Sequence, residues 1–168
     1  MKNILLLGFL AISLSSFSQC EIRNRLFPDG TMIYFMEPVV FYWTKVKELK
    51  GNVITDKENY FIGLQPVPFP EKQQGKKLKE DIELKLSNNK VYRLGHYDTQ
   101  YLVNDSIMQL LYLVDKKDLE DLLNFEATEV KIDMKGDEGI RTYIFKLHKT
   151  ALQEQLACFL KEEEDKGK

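Results

Sequence analysis

Apolar and polar residues alternate with period two in two stretches of the chain. Ile82, Leu84 and Leu86 are interleaved with Asp81, Glu83 and Lys85, and Val130, Ile132 and Met134 with Glu129, Lys131 and Asp133. Successive side chains of a strand point to opposite faces, so each stretch predicts a strand buried on one side. Ser87-Asn88-Asn89-Lys90 offers turn residues before Val91–Leu94, and Gly136-Asp137-Glu138-Gly139 does so before Ile140–Leu147, so each strand opens a hairpin. β-branched and aromatic residues make Met32–Met36, Val39–Val46 and Tyr60–Leu64 further strands, and the short apolar run Met108–Val114 another.

Two stretches follow the helical period instead. Asp115 stands where it caps a helix through Asn124, with Leu119, Leu122 and Leu123 on the apolar side. Thr150 and Gln153 have capping-box spacing ahead of the stripe Leu152, Leu156, Phe159 and Leu160. Prolines 66, 68 and 70, followed by Gly75, predict a long extended loop across 65–79. Together these signals predict one α+β domain over 19–168. It is a mostly antiparallel sheet with two helices, about 115–124 and 150–163, packed against it.

The first 18 residues read differently. Lys2 precedes an apolar run from Ile4 to Leu14 and a Ser-rich end, the order of a bacterial secretory signal peptide. The run is too short for the roughly 20 residues that cross a bilayer core. Ser16 and Ser18 place small side chains before a cut preceding Gln19, so an exported protein, periplasmic or secreted, is expected. Cys20 allows another outcome, a structural or assembly lipoprotein anchored by a thioether lipid on that sulfur, although Gln19 fits poorly just before such a cut. Cys158 is the second of the chain's two cysteines. In an oxidising compartment Cys20 and Cys158 either form a disulfide or remain free.

Composition narrows the classes. With 43% hydrophobic and 30% charged residues the chain is ordinary globular material, neither disordered throughout nor polytopic in a membrane. A net charge of −2 gives no general attraction to nucleic acid, and a membrane partner is expected only if Cys20 is lipidated.

Candidate chemistry is sparse. Outside the leader the serines are Ser87 and Ser106 and the histidines His96 and His148, and neither serine lies in a G-x-S-x-G turn. No spaced metal-ligand motif or Gly-rich phosphate loop occurs, so no metal or cofactor is expected. His96, Asp98 and Asp105 form the one local cluster. In extended chain His96 and Asp98 point to one face, the spacing a carboxylate-held imidazole needs, and a small hydrolase is the enzymatic alternative. The aromatic run Tyr34, Phe35, Phe41, Tyr42 and Trp43 is the densest feature, and on a two-faced strand neighbours alternate sides. Exposed Tyr42 or Trp43 beside Val67 and Phe69 would make a groove for a protein, glycan or small-molecule partner. Asn104-Asp105-Ser106 is an N-x-S sequon with Asn104 as the acceptor, and Asp105-Ser106-Ile107 resembles the O-glycosylation pattern of some exported bacterial proteins, with Ser106 as the acceptor. The expectation is an exported binding domain without catalytic machinery, with Tyr42, Trp43, His96 and Asp98 as contact residues.

Overall fold

A computed structural model describes residues 20–27, 29–70, 78–134 and 139–166, with side chains described up to 162. The leader 1–18, the Lys-bearing part of the proline loop (71–77) and most of the 136–139 turn lie outside the described residues. Of the described residues 50% are strand and 16% helical, so the domain is broadly α+β but dominated by its sheet.

The strands are β1 (Arg23–Leu26), β2 (Met32–Phe35), β3 (Val39–Trp43), β4 (Glu48–Thr55), β5 (Tyr60–Val67), β6 (Ile82–Leu86), β7 (Val91–Leu102), β8 (Ile107–Val114), β9 (Ala127–Asp133) and β10 (Ile140–Ile144). They pair in the order β1-β2-β4-β5-β8-β7-β6-β9-β10, with β3 also on β4. Every pairing is antiparallel. Both hairpins expected from the alternation form, and Asn89 takes the left-handed conformation (φ 65°) that closes the first.

β7 serves two neighbours. Val91–Leu94 pair with β6, and the rest of the strand pairs with β8. Beyond β10, the Phe145 N–H donates to the Thr128 carbonyl at 2.8 Å. The N–H groups of Lys146 and Leu147 then donate to the Phe41 carbonyl at 2.9 and 3.2 Å. This returns the last strand to β3, where the Phe41 and Phe145 rings stack at 4.4 Å. The sheet thus curls around its own apolar face, and Leu64, Leu84, Leu110 and Val130 are buried inside. A smaller cluster of Ile33, Ile54, Phe61 and Leu111 lies on the outer face beneath the β1–β2 hairpin.

Helices α1 (Leu119–Asn124) and α2 (Ala151–Lys166) cover the inner face of β4, β5 and β8. Leu119, Leu122, Leu152 and Leu156 meet Val53, Tyr60, Ile62 and Val114 around a void of only about 10 Å³. The helix starts depart from the expected caps. Asp115 makes no cap bond and pairs with Lys117 at 3.0 Å, and a 3-10 turn over Lys116–Asp118 precedes α1. Thr150 engages Glu154, whose carboxylate accepts its hydroxyl at 2.8 Å, whereas Gln153 donates to the Leu123 carbonyl and ties α2 to α1.

Strand boundaries shift where tertiary pairing decides. The third strand ends at Trp43, because Thr44 turns the chain: its hydroxyl oxygen accepts the Lys47 N–H at 2.9 Å. β4 and β1 have no counterpart in the alternation pattern. Pro66 is tolerated within β5 because its pairing with β8 ends at Leu64, leaving that edge without a ladder partner.

Candidate binding surface

Two bulges decide where the candidate residues point. Along β3, Val40 pairs with Lys50 and Tyr42 with Leu49, so Phe41 is the inserted residue. An inserted residue breaks the strict alternation of sides. Phe41 and Tyr42 therefore both turn inward, Tyr42 meeting the Tyr143 ring edge-on at 5.4 Å. Strict alternation across these neighbours does not hold, and Trp43 is left outside, 62% exposed.

The second bulge separates His96 from Asp98. His96 pairs with Tyr112 and Asp98 with Leu111, so Tyr97 is the extra residue. Tyr112 belongs to the inner core and Leu111 to the outer cluster, and directly opposed residues share a face. The expected shared face is therefore corrected: the bulge puts His96 inside and Asp98 outside. His96 Nε2 lies 2.8 Å from the Thr99 hydroxyl, which donates to the Leu78 carbonyl at 2.6 Å. With its one proton given to Leu78, that hydroxyl receives a proton from His96, so Nε2 carries hydrogen. Asp98 instead accepts from Gln100 Nε2 at 3.1 Å. Asp105 is exposed beyond the end of β7, at least about 13 Å of strand from Asp98. The acid–base constellation is not assembled.

Asp105 shares the β7–β8 turn with Val103 and Asn104, and all three have positive φ (62°, 49° and 54°). Asn and Asp accept that conformation, whereas a β-branched Val is strained there. Asn104 and Ser106 are both exposed, and the Ser106 hydroxyl donates to the Val103 carbonyl at 2.7 Å.

Cys20 and Cys158 are joined, with Cα atoms 5.7 Å apart across 138 positions of sequence. A sulfur held in a disulfide carries no thioether, so bridge and lipid exclude each other at Cys20. The disulfide is compatible with an oxidising compartment. No helix among the described residues is long and apolar enough to cross a membrane.

Two polar features escape the sequence reading. On the outer face, Asn52 and Gln109 are buried and meet across Gly63, with Asn52 Oδ1 3.4 Å from Gln109 Nε2. Arg25 donates to Gln109 and Gln100 at 3.0 Å, its guanidinium 5.5 Å from the Phe27 and Phe35 rings. Desolvation pushes the Arg25 pKa below its ordinary value. The one visible hint of this seam is Gln109 itself, a polar residue inside the apolar run Met108–Val114. The second feature is an open groove of about 430 Å³ between β6, β7 and β9. Its charges are largely matched, with Arg93 on Asp81 at 3.1 Å and Lys131 on Glu83 at 3.0 Å. The His96 backbone N–H, aided by Arg93, holds the Asp81 carboxyl below its usual range. Among the described residues no group of three or more His, Cys, Asp or Glu is placed to hold a metal ion.

Among several exposed apolar side chains, which include Leu26, Tyr97 and Ile140, Trp43 is the largest. Trp43 pairs with Glu48, and Glu48 with Val67, which makes a row of three on the outer face. Val67 is 44% exposed, and Val46, at the tip of the β3–β4 turn, is 74% exposed. Phe69 is not part of the row, since it packs toward Tyr101. No protein-family model, no curated protein and no solved structure matches the chain.

Proposed function

We propose that the chain is an exported domain, clasped by Cys20–Cys158, whose work is to bind a partner through the Trp43 end of its sheet. One observation carries this reading. The single tryptophan of the chain stands exposed, with exposed Val46 on the adjoining turn and Val67 beyond Glu48 on the same face, whereas neighbouring Phe41 and Tyr42 are turned to the core. Large aromatic side chains exposed beside other apolar groups are the usual anchors of interfaces. Binding is favoured over hydrolysis because the bulge at Tyr97 parts His96 from Asp98. The leader supports export, and the disulfide is compatible with it.

The test is retention of the purified, oxidised chain by cell-envelope fractions of its native host. Retention falls at least about tenfold for Trp43→Ala, a loss of the size expected for an apolar anchor. It is unchanged for Val91→Ala, which removes an exposed apolar side chain from the start of β7. Equal retention of Trp43→Ala and the parent chain overturns the reading.

A further inference from the structure

We propose that the partner at the Trp43 end is an anionic lipid surface, on which the domain docks peripherally. The inference rests on the reading of that end as a binding surface and concerns what occupies it.

The closure of the sheet gathers two segments that are far apart in sequence. The Lys146 and Leu147 N–H groups on the Phe41 carbonyl bring the end of β10 beside β3, and Lys146 Nζ lies 5.7 Å from the centre of the Tyr42 ring. The β3–β4 turn contributes Lys45 and Lys47, both exposed, and the chain after β10 contributes exposed Lys146 and Lys149. Glu48 is the one acid within 43–50, and it already faces Lys50 at 3.4 Å. No ion pair engages Lys45, Lys47, Lys146 or Lys149 among the described residues. In a chain with net charge −2, four exposed lysines outside any ion pair among the described residues thus fall on the two segments that this closure joins.

Exposed apolar groups lie on the same segments: Trp43 at 62% and Val46 at 74% exposure flank Lys45 and Lys47, and Leu147 at 45% follows Lys146. Tryptophan and aliphatic side chains flanked by lysine match a headgroup layer, where rings enter the interface and ammonium groups meet lipid phosphates. Val46 lies on the tight turn that joins β3 to β4, which the Thr44 N–H closes on the Lys47 carbonyl at 2.8 Å, and Trp43 immediately precedes that turn. An apolar turn flanked by lysines enters a headgroup layer without needing a groove, and this favours a lipid surface over an acidic polypeptide. This mode of attachment does not use Cys20, whose sulfur is engaged with Cys158.

The chain's one tryptophan makes the test specific, since its emission reports position 43 alone. The oxidised chain is titrated at low salt with vesicles of equal parts phosphatidylglycerol and phosphatidylcholine, and separately with phosphatidylcholine alone. Expected is a saturable blue shift with shielding from acrylamide on the anionic vesicles, lost at high salt and not seen on neutral ones. In sedimentation with the anionic vesicles, Lys45→Gln with Lys47→Gln lowers partitioning about 30-fold, since each cation near such a surface is worth about 1 kcal/mol. Trp43→Ala lowers it about tenfold. An unchanged emission on anionic vesicles, or equal binding to neutral ones, overturns the inference. If envelope retention still depends on Trp43 in that case, the binding reading stands and poly-glutamate, as an acidic polypeptide, is the next occupant tested. If retention is also insensitive to Trp43, both fall.

Discussion

The side-chain carbonyl of Gln155, on α2, accepts the backbone N–H of Val53 in β4 at 2.7 Å, and both residues are buried. The bond exists because β2 and β3 share one edge of β4. β2 reaches Ile54 and Thr55, β3 reaches Glu48–Gly51, and neither pairs with Val53. Pro38 interrupts the chain between them, and the gap is closed by side chains: Gln155 Nε2 donates to the Glu37 carbonyl at 3.3 Å and Asn52 Nδ2 to the Met36 carbonyl at 2.7 Å. Gln155→Leu strands a buried N–H and costs about 1–3 kcal/mol. The melting temperature falls about 2–4 °C per kcal/mol in a chain of this size. Calorimetry of the variant checks this, and an unchanged melting point refutes the bond's role.

Gly63 is required by what crosses it. A Cβ there would stand 2.6 Å from Asn52 Oδ1 and 2.8 Å from Gln109 Nε2. Gly63→Ala therefore pushes apart the Asn52–Gln109 contact and is expected to cost about 1–3 kcal/mol in a urea titration. Gly95→Ala is the control, because nothing lies within 4 Å of its Cβ position.

The Cys20–Cys158 bridge closes a loop of 138 positions, which the chain-entropy account values at about 5 kcal/mol, with measured values commonly lower. Protein from its host is expected to be lighter by two hydrogens until reduced. Replacing both cysteines by Ala is expected to lower stability by about 2–5 kcal/mol. A mass carrying acyl chains on Cys20 would contradict the bridge.

Acid sensitivity follows from carboxylates with lowered pKa. Asp81 is held below its ordinary 3.8 chiefly by the His96 N–H, with Arg93 assisting and desolvation opposing. Asp121 is lowered by Lys90 and then by Tyr92. A carboxyl depressed on folding contributes stability that is full above its unfolded value and is lost as pH falls through the folded one. Urea midpoints of the parent chain and Asp81→Asn should thus differ at neutral pH and converge below pH 3.8. A gap that persists in acid removes Asp81 from this account.

Some of the fold is legible in the sequence because local pattern and tertiary demand agree. Ile82–Leu86 and Val130–Met134 alternate because one face of each strand meets the core and the other carries paired charges such as Glu83 and Lys131. β4 is not legible, since Lys50 and Asn52 interrupt it and Gly51 lies within it. That Gly is there because a Cβ would stand 2.7 Å from the Phe41 ring, a close approach known only once the sheet closes. The candidate site divides in the same way. Trp43 is conspicuous as the single tryptophan, but the groove expected beside Val67 and Phe69 is met only in its Val67 half, because Phe69 packs toward Tyr101. The separation of His96 from Asp98 is not visible, because a bulge belongs to the register between two strands. The Thr150–Glu154 contact won over the Thr150–Gln153 spacing because Gln153 is needed against α1.

The narrow attachment of β2 to β4 makes the molecule uneven in its resistance to opening. The β1–β2 hairpin joins the sheet through two residue pairs, Tyr34–Thr55 and Phe35–Ile54. Otherwise it depends on its outer apolar cluster, on Arg25 and on the disulfide just upstream. Under reducing conditions the amides of Arg23 and Arg25, which face β2, should exchange with solvent deuterium well ahead of those in β5 and β8, which are paired on both sides over much of their length. The hairpin then behaves as a separate cooperative unit, and a reductant selects which part of the domain yields first.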